Sequence, residues 1–163
     1  MEHSYAIYAF ILIAVVVALS VSLGDMKSEW YKSLKQPPGV PPDWVFGLVW
    51  SLLYIMLLIG VMIATWNQVG WSWTIIVVYT VLLILTLLWV IVFNQYHNIV
   101  GGVIILLATL GLGAYMIYLL LPSHLQEMGI WGGAQYVPIV FYSLFLAWIA
   151  CATYFNMGIA VLN

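Results

Sequence analysis

Long apolar runs separated by short polar stretches make up most of the chain. Five of the runs reach the roughly 20 residues that an α-helix needs to cross about 30 Å of hydrocarbon. They are Tyr5 to Leu23, Asp43 to Trp66, Trp71 to Gln95, Ile99 to Leu121 and Gln135 to Val161. Apart from Asp43, which opens the second, none contains Lys, Arg, Asp or Glu. Lipid offers backbone N–H and C=O groups no partners, and the strict alternation of a membrane β-barrel is absent, so the runs are read as helices. Asn67, Gln68 and Gly70 separate the second and third, while Asn94, Gln95, His97 and Asn98 read as a short polar turn between the third and fourth. Turns this short predict antiparallel neighbours. The predicted fold is an all-α integral membrane protein: one five-helix bundle over residues 1–163, with a long first loop at about 24–42.

Composition agrees. A chain that is 66% hydrophobic and 5% charged, with a mean hydropathy of +1.15, cannot bury its apolar side chains in a soluble globule and still present a polar surface. The first run follows Glu2 and His3 rather than a basic segment and is longer than a signal-peptide core, so it is read as a retained helix. All three lysines, Lys27, Lys32 and Lys35, fall in the first loop, and arginine is absent. The positive-inside rule therefore places the first loop and the C-terminus in the cytoplasm and the N-terminus on the opposite side. A net charge of −2 without a basic stripe excludes nucleic acid as a partner. Cys151 is alone, so one chain can form neither a disulfide nor a cysteine-based metal site, and no metal is expected.

The chemistry available is aromatic. Of nine Trp and eleven Tyr, Trp30, Tyr31, Trp66, Trp71, Trp73 and Trp131 lie near predicted span ends, where interfacial anchoring accounts for them. Trp50, Trp89 and Trp148 lie deeper, where an indole N–H must find a partner in the bundle or on a ligand. Helical spacing puts Trp50 and Tyr54 on one face with Phe46 and Gly47 a turn earlier; Thr86, Trp89 and Phe93 follow i, i+3, i+7. Trp148, Ala152, Asn156, Ile159 and Asn163 form a third stripe. Three such faces suit a flat, mostly apolar ligand, and they equally suit ordinary packing, with small residues allowing close approach and Asn bonding between helices. Asn156 weighs toward the first, since a polar side chain deep in a span faces the bundle interior or a cavity. Asp43, after Pro41 and Pro42, suits the first turn of a helix.

Catalytic equipment is sparse. His3, His97 and His124 lie at the terminus or in turns, which argues against haem held between two facing imidazoles. Phosphate loops, metalloprotease motifs and Ser-His-Asp arrangements are absent. Chemistry on a bound light-absorbing or redox-active ligand stays open, with Trp as an electron or hydrogen donor.

Two motifs carry a family resemblance. Trp30, Tyr31, Leu34 and Pro37 give W-Y-x-x-L-x-x-P, and Pro41, Pro42, Trp44, Phe46, Gly47, Trp50, Leu53 and Tyr54 give P-P-x-W-x-F-G-x-x-W-x-x-L-Y. Near the end, Trp148, Ala152, Asn156, Ile159, Leu162 and Asn163 give W-x-x-x-A-x-x-x-N-x-x-I-x-x-L-N. In these motifs, its length and its five spans, the chain resembles the translocator protein family, also called tryptophan-rich sensory proteins or peripheral benzodiazepine receptors. The resemblance implies a five-helix bundle, commonly a homodimer, with a pocket beneath the first loop for porphyrins, sterols or synthetic ligands. It implies that Trp50 and Trp148 line that pocket, bordered by Trp44, Phe46, Tyr54 and Ala152. In bacterial members the matching Trp residues are linked to light-dependent protoporphyrin breakdown.

The chain also departs from the family pattern. Thr86, before Leu87, Leu88 and Trp89, stands where an amide is usual; Gly39 or Val40 replaces an aromatic in the first loop; Val103 replaces an acid early in span four; Leu144 and Phe145 stand for a Pro-Tyr pair. No basic residue follows Lys35, so the sterol motif of animal members is missing. The leading expectation is a membrane receptor or carrier for porphyrin-type tetrapyrroles, protoporphyrin IX or haem. Its ligand-binding residues would be Trp44, Phe46, Trp50, Tyr54, Thr86, Trp89, Trp148, Ala152 and Asn156, and no further cofactor is required. The alternatives are an enzyme degrading porphyrin under light and oxygen through Trp50 and Trp148, and a membrane interaction subunit with no small ligand.

Overall fold

The computed structural model describes residues 4–24, 28–65, 72–121, 123 and 132–163. Its long helices are α1 (Ser4–Leu23), α3 (Asp43–Ala64), α4 (Ser72–Val90), α5 (Ile99–Leu119) and α6 (Tyr136–Leu162), with a short α2 (Glu29–Ser33) in the first loop. All five long helices have the length and apolarity to cross a membrane. Large apolar side chains such as Phe10, Ile11, Ile55, Ile84 and Ile104 point outward and exposed, the surface that lipid rather than water would cover. The chain is a multi-pass membrane protein with an all-helical fold.

Helix ends follow the local chemistry. Ser28 caps α2 by accepting a hydrogen bond from the Tyr31 N–H, and Asn98 caps α5 through Gly101 N–H at 2.8 Å. The expected fourth span runs two residues past the helix, because the Leu120 N–H closes the last turn on Met116 and Ile117. Gln135, expected at the start of the fifth span, belongs to the 3₁₀ turn Gly132–Gln135. Trp66, Trp71 and Trp131, with Lys27, His3 and His124, lie outside the described residues.

The third span ends at Gln95 as expected, and the turn reading of its last two residues is corrected. Asn94 and Gln95 are not loop residues: after Val90 the helix continues as a π-turn, Ile91–Gln95, closed by Tyr96 N–H to Ile91 O at 3.1 Å. The connection to α5 shrinks to Tyr96, His97 and Asn98, with His97 at φ +52°. Polarity suggested a turn, but the backbone keeps its helical hydrogen bonds through both residues. Asn94 is buried, and Gln95 Nε2 donates to Leu23 O at 2.7 Å, closing the end of α1.

Around the bundle the order is α1, α3, α6, α5, α4 and back to α1, while α3 and α4 meet only loosely across the middle. Hydrogen bonds stitch the ring. Tyr79 Oη donates to Ala9 O at 3.2 Å between α4 and α1, and Tyr142 Oη reaches Leu57 O at 3.4 Å between α6 and α3. Alternation of direction brings the first loop, the α4–α5 connection and the C-terminus to one end.

There the first loop is fastened to α6. Asn163 Oδ1 accepts from Lys35 N–H at 3.0 Å while its Nδ2 donates to Lys35 O at 3.1 Å. Pro37 lies against Gly158, where an added Cβ would stand 2.6 Å from the proline ring. Gly39 turns the loop at φ +87°, a conformation glycine adopts freely. We expect Gly158→Val to lift the loop from α6; in detergent, trypsin should then cut at Lys32 or Lys35 several times faster than in the parent protein, and an unchanged rate would show that the Pro37 contact does not hold the loop.

Candidate functional site

The gap left between α3 and α4, closed on its outer side by α1, is a cavity of about 600 Å³. From Asp43 at the start of α3 to Tyr54 is three turns, so the cavity reaches about 16 Å into the membrane at the helical rise. Trp44, Phe46, Trp50 and Tyr54 from α3 face Thr86, Trp89 and Asn94 from α4. Val17, Ser20, Val21 and Gly24 supply the α1 wall. The spacing that put Trp50 and Tyr54 on one face has its structural counterpart here, with the rings 5.5 Å apart. Trp50 also stacks with Trp89 across the gap at 6.5 Å and 25°. The result is an aromatic wall along a mostly apolar space.

Behind Trp50 lies a cleft of only about 20 Å³, bordered by Tyr31, Phe46, Trp89, Phe93, Ala152 and Asn156 among others. Polar groups at its edge are paired with each other. Trp89 Nε1 donates to Asn156 Oδ1 at 2.9 Å, and Asn156 Nδ2 donates to Ile99 O at 3.0 Å. This joins α4, α5 and α6 through one side chain that is 2% exposed. Gly102 makes room for it: a Cβ there would come within 2.9 Å of Asn156 Oδ1.

Trp148 stands apart from this group. Its ring packs edge-on against Phe46 at 5.4 Å and lines a separate groove of about 320 Å³ between α3 and α6, with Leu52, Met56, Ala147 and Cys151. Its Nε1 is buried without a partner. The structure thus brings Trp44, Phe46, Trp50, Tyr54, Thr86 and Trp89 to one cavity, Ala152 and Asn156 to the adjoining cleft, and Trp148 to the far side of Phe46.

The described part of the first loop covers the cleft. Trp30 stacks on His97 at 4.1 Å and meets Phe93 edge-on at 5.3 Å, while Tyr31 turns inward. Burial pushes the Tyr31 hydroxyl above the ordinary tyrosine range, against partial lowering by its hydrogen bond to Gln36, so it stays a neutral phenol at physiological pH. Among the described residues no group of three or more His, Cys, Asp or Glu could hold a metal ion.

Sequence reasoning missed the α1 wall, Asp43 as a lining residue, and Asn94. The α1 run is so apolar that no face stands out, with Ser20 and Ser22 its polar residues in the last turns. Asn94 had a usable signal, because Thr86, Val90 and Asn94 are spaced i, i+4, i+8.

The model of the TspO/MBR family matches residues 9–162. Over 153 residues the chain is 26% identical to the tryptophan-rich protein TspO of Archaeoglobus fulgidus, 93% of this chain and 92% of that one. It is 25% identical over 164 residues to the tryptophan-rich sensory protein of Cereibacter sphaeroides, covering 100% and 95%. It is also 29% identical over 107 residues to protein CrtK of Rhodobacter capsulatus, which is 63% of this chain and 66%, just under two thirds, of CrtK.

Replacing Asn156 with Leu should strand the Trp89 N–H in an apolar interior and lower stability in detergent by about 1 to 2 kcal/mol. In that background Trp89→Phe, which removes the stranded donor, should cost less than it does alone; strictly additive losses in thermal unfolding would contradict the coupling.

Proposed function

The chain belongs to the TspO/MBR family, and from that premise we propose that it is a membrane receptor or carrier for porphyrin-type tetrapyrroles, held in the cavity between α1, α3 and α4. The observation that carries this reading is the aromatic wall of Trp44, Phe46, Trp50 and Trp89 along a space of about 600 Å³. That volume falls within the 300–1,000 Å³ range of small-molecule sites. A flat conjugated ring gains from offset stacking on indoles as well as from leaving water. Protoporphyrin IX and haem are the natural probes, and the role needs no resident cofactor. The name of the Cereibacter relative, a sensory protein, supports ligand detection as the task.

One observation favours a second reading. Trp50 stacks on Trp89, which stacks on Phe93 at 5.5 Å. A light-excited ring held against such a column can pass its excitation to dioxygen, both atoms of which add across a ring double bond and open it with no outside electron donor, and the protein would then be an enzyme that degrades its ligand. A new absorbing product formed under illumination only with intact Trp50 supports turnover; bleaching at the same rate without protein argues for binding alone.

The first loop and the C-terminus share one end of the bundle, and the lysines propose the cytoplasm for it. In a Cys151→Ser background, Lys35→Cys should react with a membrane-impermeant maleimide in inverted vesicles and not in intact cells. The opposite pattern would reverse the orientation.

For binding, Trp50→Ala should weaken porphyrin quenching of tryptophan fluorescence about tenfold or more, the size expected of a buried aromatic contact, while Trp148→Ala changes it about twofold at most. Absence of saturable quenching in the parent protein, or equal loss in the two variants, would defeat the proposed location.

A further inference from the structure

We propose that Asn94 is the residue that selects among ligands of this cavity: its amide oxygen takes a hydrogen bond from a neutral O–H or N–H group on the ligand's edge, and the site disfavours a carboxylate there. The inference rests on the tetrapyrrole reading of the same cavity and names the chemical class of tetrapyrrole that fits. It begins with the π-turn. Because Ile91–Gln95 is wound with one extra residue, closed by Tyr96 N–H to Ile91 O and Asn98 N–H to Val92 O, Asn94 remains on the bundle side as α4 ends. Turns of this kind interrupt a helix at a cost and recur at functional positions. Asn94 is 8% exposed, lines the cavity, and leaves its Oδ1 without a partner. A buried acceptor in that condition gains more from a ligand donor than an exposed one does, since it has already lost its water.

Two other hydroxyls around the cavity point the same way, while Ser20 Oγ, also in the lining, is buried without a partner and keeps a proton to give. Thr86 gives its hydroxyl proton to Leu83 O at 2.8 Å and Ser51 gives its own to Gly47 O at 2.7 Å, so both turn an oxygen lone pair to the cavity side of that bond. Asp43 contributes a carboxylate at the loop end. Among the described residues no Lys, Arg or His lines the cavity. Lys32 is engaged with Glu29 at 3.1 Å, and Lys35 sits on the α6 side, bonded through its backbone to Asn163. Among the described residues the lining therefore presents these acceptors, the Ser20 hydroxyl and the Asp43 carboxylate, and no cation. A ligand carboxylate brought into this setting loses hydration, meets no counter-charge and faces Asp43. A hydroxyl or amide at the same place finds Asn94.

Three probes separate these effects on the full-length protein in detergent: protoporphyrin IX with its two carboxylates, its neutral dimethyl ester, and the diol in which both side chains end in hydroxyls. Affinity should rise from diacid to ester by about tenfold, as expected when an unpaired charge is removed from a poorly solvated site. It should rise again from ester to diol by about fivefold, the worth of one good hydrogen bond. Asn94→Leu should bring the diol-to-ester ratio to about one, and Asp43→Asn, at the exposed start of α3, should narrow the ester-to-diacid ratio independently of whether the Leu variant folds. A diacid that binds as tightly as the ester, or a diol preference that survives Asn94→Leu, overturns the assignment while leaving tetrapyrrole binding intact. No saturable binding by any of the three overturns the tetrapyrrole reading itself, and the assignment with it.

Discussion

The bond from Trp89 Nε1 to Asn156 Oδ1, with the second bond from Asn156 Nδ2 to Ile99 O, fixes how the helices of this bundle meet. In hydrocarbon an indole N–H and an amide have no water to fall back on, so the two groups hold α4, α5 and α6 at one rotation. Gly102 is needed at the crossing because a side chain there would occupy the place of the Asn156 oxygen. With α4 tied to α5 and α6, its other face is left to meet α3 only loosely. The open space appears on that side.

The first loop follows from the same arrangement. Trp30 rests on His97 and Phe93, just beyond the π-turn, and the loop then crosses to α6, where Asn163 and Gly158 receive Lys35 and Pro37. The described part of the loop, from residue 28 on, thereby covers the cleft beside Asn156. On the outer side the cavity is bounded by α1, the helix with the smallest buried share among the five spans. Membership of the TspO/MBR family is thus compatible with a site displaced toward α1.

Much of this could be read in the sequence, for physical reasons. Spans of 19 to 27 residues stand out because lipid demands uninterrupted apolar helix, and the face shared by Trp50 and Tyr54 follows from helical spacing. The relation between faces of different helices could not be read that way. Trp148 and Ala152 are one turn apart, yet Ala152 borders the cleft while Trp148 lies beyond Phe46; the rotation and tilt of α6 decide this, and both depend on the whole ring. Asn94 was misplaced for another reason: polarity near a span end reads as a turn unless the backbone keeps its hydrogen bonds, and a π-turn leaves little trace in residue pattern. The α1 wall was hidden by uniform apolarity.

The central claim is that a flat ligand occupies the space between α1, α3 and α4. Brief illumination of the full-length protein with bound protoporphyrin dimethyl ester under oxygen, followed by mass-spectrometric mapping of oxidised side chains, tests it directly, because reactive oxygen formed on the ring attacks what lies beside it. Oxidation should begin at Trp50, Trp44 and Trp89, ahead of Trp148 and Met56 in the α3–α6 groove. Oxidation that starts at Trp148 and Met56 and spares Trp50 would place the ligand in the groove and contradict the account.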